Sequence, residues 1–142
     1  MGRILIKNAR AVNENKQFET DMLIENGVII RMDKDISHDN ASVVDFNGNL
    51  LLPGVIDDQV HFREPGLTHK GNIYSESRAA VAGGITSFME QPNTVPQTTT
   101  LEKHEAKFAL AAESAFANYS FKFGGTNDNL EEIKRLDKNS CS

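Results

Sequence analysis

The sequence is poor in cysteine, with a single one, Cys141, in 142 residues. One thiol cannot close an intramolecular disulfide, and without a cysteine cluster a thiolate zinc site is excluded. A reducing compartment, the cytoplasm, is therefore expected. Long apolar runs are absent too. The N-terminal MGRILIKNAR offers too few consecutive apolar residues for a signal peptide or a transmembrane helix. It begins Met-Gly, but Ile6 stands where N-myristoylation needs Ser or Thr. Nor is there a basic excess: fifteen Lys and Arg face twenty Asp and Glu, a net charge of -5. With no Lys/Arg run, neither a nucleic-acid partner nor an anionic membrane surface is expected.

What is present suits an ordinary soluble globular domain, since 39% hydrophobic residues suffice for a real core. Residues 1–52 read as short strands and tight turns. Met22-Leu23-Ile24 and Val28-Ile29-Ile30 flank Asn26-Gly27, a strong hairpin signal because both central residues of a type I′ turn need positive φ. A second Asn-Gly, Asn47-Gly48, separates Val43–Phe46 from Asn49–Leu52. The expectation is a small antiparallel β module.

Pro53-Gly54 then punctuates the chain, and the period changes. Val55–Phe62 reads as a strand. A helix is predicted over 72–82, with Ile73, Ala80 and Val81 on one face and Gly83-Gly84 as its stop. Ile85–Met89 has the content of a second strand. Thr99 and Glu102 match a capping box opening a helix whose apolar face is Leu101, Phe108, Ala112 and Ala115. Tyr119–Phe123 alternates as a third strand, and Asp128–Glu131 opens a third helix. Alternating strand and helix is the order of parallel βα units. These three units occupy about 85 residues, where a complete eight-fold barrel needs roughly 250. Residues 53–142 are thus either a small open α/β sheet or the first part of a barrel.

The chemistry concentrates in DDQVHFREPG, residues 57–66. Period-2 geometry puts Gln59 and His61 on one face of the first strand, with Arg63 just beyond its end. Two donors at i and i+2 can converge on an ion, although a lone strand-end histidine is more often structural. The Arg63 guanidinium is a natural fork for a carboxylate, with a salt bridge to Glu64 or Asp58 as the alternative. After the second strand comes QPNT, where Asn93 offers amide donors and an acceptor, or simply an Asx turn.

PGVIDDQVHFREPG, followed by AVAGGITSF and QPNT, resembles the N-terminal part of dihydroorotases of the amidohydrolase superfamily. Related cyclic amidohydrolases, allantoinases and dihydropyrimidinases, share the layout. The resemblance covers essentially the whole chain. It implies the first three βα units of a (β/α)8 TIM-type barrel, preceded by a β module belonging to a composite β-sandwich. It also implies reversible ring opening of dihydroorotate to N-carbamoyl-aspartate, in pyrimidine biosynthesis, by zinc-bound hydroxide. His61 corresponds to the second histidine of the family's zinc-binding HxH pair. Arg63 and Asn93 correspond to the clamp on the carboxylate of a small-molecule substrate.

Gln59 departs from the family, standing where the first histidine belongs. An amide oxygen is a harder, weaker zinc donor than imidazole, so the implied metal is weak, single, displaced or absent. The family's other ligands and its catalytic aspartate lie on later strands, so no catalytic residue is expected in this chain. His38, His69 and His104 are expected at the surface. A non-catalytic assembly partner of another enzyme is the second reading. An unrelated open-sheet binding domain is the third, and it leaves the joint occurrence of HFREPG and PNT unexplained.

An open barrel edge implies association, as a homo-oligomer or with the remainder of the fold. The expectation is an N-terminal fragment or prematurely ended form that folds poorly alone. Sharp, cooperative thermal unfolding of a monomer, followed by circular dichroism, would contradict this.

Overall fold

The computed structural model describes residues 2–137, so Cys141 lies outside the described residues. The chain forms two compact units, Met1–Pro53 and Gly54–Ser142.

The first unit is a five-stranded sheet of β1 (Arg3–Asn13), β2 (Lys16–Glu25), β3 (Val28–Asp33), β4 (Ala41–Asp45) and β5 (Leu50–Leu51). β1 and β2 pair antiparallel, as do β2 and β3. Asn26 and Gly27 have φ of 51° and 81°, the left-handed pair that a type I′ turn requires. Glu14 and Asn15 make the equivalent turn between β1 and β2, with φ of 48° and 61°.

The antiparallel expectation for the whole module needs correction, because β4 and β5 both run parallel to β1. Asn47-Gly48 does adopt positive φ, but the turn is a detour rather than a reversal. Phe46 N donates to Lys7 O at 2.9 Å, Gly48 N to Asn8 O at 2.8 Å, and Arg10 N to Asn49 O at 3.0 Å. Both flanks therefore stay on β1, opposite a bulge between Ile6 and Ala9 where Asn8 itself has φ of 54°. Turn chemistry was legible in the sequence; the direction of the exit was not.

Period 2 sends Leu5 and Leu23 to one cluster with Ile36, and Ile6 and Met22 to another with Ala9. On β2 a buried carboxylate holds three segments together. Asp21 accepts from Lys7 Nζ, from Asn8 N at 2.9 Å and from Ile36 N at 2.9 Å. Burial pushes its pKa up, but the Lys7 ammonium and the two amides outweigh this and leave it below the usual carboxylate value.

The second unit alternates β6 (Val55–Val60), α1 (Ile73–Ala82), β7 (Ile85–Glu90), α2 (Leu101–Ser114), β8 (Asn118–Phe121) and α3 (Leu130–Arg135). Its three strands pair parallel in the order β6-β7-β8. Val60, Phe62, Ile73, Phe88, Ala111 and Phe121 form the core between strands and helices. Asn72 caps α1 through Ser75 N at 2.8 Å, and Gly84, with φ of 87°, follows its end.

Several sequence expectations shift by a residue or a face. On α1, Ile73 and Ser77 are buried and Ala80 packs on the core, whereas Val81 is exposed. The Ser77 hydroxyl accepts from Phe116 N at 3.1 Å, which explains a polar residue on the buried face. Thr100, not Thr99, caps α2 by accepting from Lys103 N at 3.3 Å. Thr99 is committed elsewhere, its carbonyl accepting from Asn129 Nδ2 at 2.8 Å. Asn129 likewise precedes α3 without a side-chain cap, because it also donates to Gly124 O and accepts from Thr126 N.

The buried residues of α2 are His104, Lys107 and Ala111, while Phe108 and Ala115 flank the core and Ala112 is exposed. His104 is therefore not a surface residue: it is 3% exposed. Its Nε2–H donates to Phe121 O at 3.0 Å, and its ring meets Phe108 and Phe123 edge-on. A satisfied donor and aromatic packing account for its burial. No helix among the described residues is long and apolar enough to cross a membrane.

The Asp21 network makes a pH prediction. A carboxylate whose folded pKa is depressed stabilises the protein above its unfolded value near pH ~4, and that contribution is lost as pH falls through the folded value. Asp21→Ala should lower stability by about 1–3 kcal/mol at neutral pH. Urea denaturation followed through β1–β3 amide signals should show the gap between variant and wild type closing in acid.

Candidate active site

The site residues sit where β6 and β7 end. The pairing of β6 with β7 shifts register between Asp57 and Val60, and Asp57 accepts from Gln59 N at 3.1 Å. Beyond the shift Val60 and Phe62 are buried toward the helices, and Phe62 packs on Phe88 at 4.5 Å between ring centroids. Alternation therefore turns Gln59 and His61 to the opposite face of the sheet, where both are exposed.

His61 reaches across to the β7 loop, with Nδ1 3.0 Å from Asn93 Oδ1. An amide oxygen only accepts, so Nδ1 carries the proton in this contact, and in the neutral ring Nε2 then keeps its lone pair. Asn93 is thus more than an Asx turn, and among the described residues nothing accepts from its two Nδ2 protons.

Arg63 occupies the left-handed region, with φ of 72°. That conformation is strained for a non-glycine residue and is maintained by surrounding contacts. Arg63 N donates to Glu90 Oε1 at 3.1 Å, and Arg63 O accepts from Leu67 N at 3.0 Å. Neither alternative salt bridge is formed: Glu64 instead accepts from Ile73 N at 2.9 Å, at the start of α1. Among the described residues no carboxylate pairs with the Arg63 guanidinium.

The two loops are locked to each other. Val95 N donates to Pro65 O at 3.1 Å, and Gln91 N to Val60 O at 3.0 Å. Gly66, with φ of 83°, lies against Val95 so closely that a side chain would strike the Val95 carbonyl. Gly124 N then donates to Thr98 O at 2.7 Å, tying in the end of β8.

Beneath the loops lies a feature that sequence reasoning missed. Glu90 and Lys107 form an ion pair at 2.7 Å, with side chains 1% and 2% exposed. The ammonium also stands 4.9 Å from the Phe121 ring centre and donates to Gln91 O at 3.4 Å. Burial pushes the Glu90 carboxyl up and the Lys107 ammonium down, and their mutual attraction opposes both shifts. Two signals were available: Glu90 lies two residues beyond Phe88, and Lys107 lies one helical turn from His104 and Ala111.

The donors for a metal amount to one imidazole and one amide. Among the described residues no three His, Cys, Asp or Glu side chains converge as an ion site. Zinc sites take at least three protein ligands, so these residues do not fit a complete one.

Residues 48–134 match the family described as Dihydro-orotase-like. Dihydroorotases of Methanosarcina acetivorans and Methanosarcina mazei are 42% and 41% identical over 137 residues. Those alignments span 96% of this chain and only 29% and 30% of theirs. An L-hydantoinase (dihydropyrimidinase) from Arthrobacter aurescens superposes with a TM-score of 0.89 at 32% identity. It covers 95% of this chain and 30% of its own. A dihydropyrimidinase from Brevibacillus agri superposes at 0.82 with 27% identity, over 96% of this chain and 31% of its own.

Two measurements check this geometry. Ring 15N shifts should report His61 as the Nδ1–H tautomer, and Asn93→Ala should move it toward the Nε2–H form. Lys107→Met, which leaves Glu90 buried and unpaired, should destabilise the protein by about 3–5 kcal/mol in denaturant titrations.

Proposed function

This chain belongs to the dihydro-orotase-like family, and on that footing we propose that it forms one wall of a dihydroorotase-type active site. The reaction is the reversible hydrolytic opening of the cyclic amide of dihydroorotate to N-carbamoyl-aspartate. The observation that carries this reading is the hydrogen bond from His61, two residues before Arg63 in the chain, to Asn93. It brings three residues of the two resembling motifs to the same ends of adjacent parallel strands, where α/β barrels gather their sites.

In this reading Arg63 forks onto the substrate carboxylate, and Asn93 Nδ2 donates to the same group. Asn93 Oδ1 meanwhile fixes the His61 ring through Nδ1, which in the neutral ring leaves Nε2 for a ligand. A hydrogen bond from the non-ligating ring nitrogen is how metal-bound histidines are oriented. His61 would therefore give zinc one ligand, with Gln59 at most a weak second. The remaining donors, and the group that activates water, are not assigned to residues of this chain.

The sequential order β6-β7-β8, with Val55 and Ile56 exposed at the first strand's start, supports the opening of a (β/α)8 barrel. Association with the remainder of such a fold, or with further copies, would cover that face.

Gln59 favours the second reading, a non-catalytic assembly partner. Calorimetric titration with dihydroorotate and metal analysis after dialysis separate the two. The enzyme-wall reading expects dihydroorotate binding that Arg63→Ala weakens by about 10–100-fold, the loss of one charge-assisted pair. It also expects Gln59→His to raise zinc retention. Equal titrations for wild type and Arg63→Ala would overturn it.

A further inference from the structure

The Glu90–Lys107 pair lies outside the set of residues that would touch substrate, yet it reaches the strand end that carries them. Glu90 Oε2 faces the Lys107 ammonium at 2.7 Å, which leaves Oε1 to accept from Arg63 N at 3.1 Å. This bond holds the peptide group that leads into the left-handed Arg63. Lys107 also grips Gln91 O, so one ion pair ties the end of β6, the end of β7 and α2.

We propose that Glu90, oriented by Lys107, is the positioning residue that holds Arg63 in its left-handed conformation and so aims its guanidinium at an anionic ligand. The aiming rests on the substrate clamp proposed above; the backbone restraint does not. A buried charge pair is seldom the most stabilising filling for such a space, since apolar residues of similar volume often do as well or better. What apolar residues cannot supply is an acceptor for the Arg63 amide.

The test compares two double variants of the full chain, Glu90→Gln/Lys107→Met and Glu90→Leu/Lys107→Met. Both remove the charges, and only the first retains an oxygen at the Arg63 amide. Two readouts are taken on each: hydrogen exchange at the Arg63 amide, and affinity for dihydroorotate. The glutamine variant should keep Arg63 amide protection and wild-type affinity. The leucine variant should unfold at a similar temperature, exchange that amide about 10-fold faster and bind dihydroorotate about 10–100-fold more weakly.

An Arg63 amide still protected in the leucine variant would overturn the proposal, as would lost protection with undiminished binding. Should the leucine variant fail to fold, the glutamine variant decides, because loss of protection with the acceptor retained refutes the role. If the wild-type chain binds no dihydroorotate, the substrate clamp fails, and Arg63 amide exchange alone still decides whether Glu90 restrains the backbone.

Discussion

A carboxylate and an ammonium removed almost wholly from water govern the second unit. Neither charge survives there alone, because desolvation of a lone ion far exceeds what a protein interior returns. Glu90 must therefore face Lys107, and this fixes the rotation of α2 about its axis relative to β7. Once α2 is set, His104 and Ala111 follow it into the core, and His104 Nε2 finds the carbonyl of Phe121 on the next strand. The same carboxylate has a second oxygen, and the chain leaving β6 is bent around it. Core packing and loop conformation thus share one electrostatic requirement, and the site inherits the rigidity of the core rather than the softness of a loop.

Much of this was legible in the sequence because it depends on local rules. Asn26-Gly27 dictates its turn, Gly83-Gly84 ends a helix, and alternation separates His61 from Val60 and Phe62. The strand and helix order of the second unit follows from the change of period after Pro53-Gly54. The illegible parts are those decided by partners distant in sequence. Thr99 looks like a helix cap, but the helix starts one residue later with Thr100 as its cap, and the Thr99 carbonyl pairs with Asn129, thirty residues on. His104 and Lys107 look like solvent-facing polar residues until Phe121 and Glu90 supply their partners. Polar residues on a buried face defeat a reading by hydrophobic period, since period records apolarity and not satisfaction.

At the candidate site the resemblance picked out His61, Arg63 and Asn93, and spacing alone left each with an ordinary structural alternative. The fold brings His61 and Asn93 into contact and turns Glu64 away to the start of α1. Nothing in the local sequence announces the left-handed Arg63, which no propensity favours and which Glu90 and Leu67 hold from outside. The β module teaches the converse lesson. There a strong local signal, Asn47-Gly48, was read correctly as a turn, while the bulge at Asn8 decided that both flanks would share one strand.

The Asn93 amide has a property that follows from its being conjugated. Its oxygen is engaged by His61, and among the described residues nothing accepts from its nitrogen. Withdrawing electron density at the oxygen end makes the N–H protons better donors, and loading the nitrogen end makes the oxygen a better acceptor. The two strand ends are thereby coupled through a single flat group of atoms. An anion held at one end would be felt as a tighter hydrogen bond to the imidazole at the other, with no movement of the backbone.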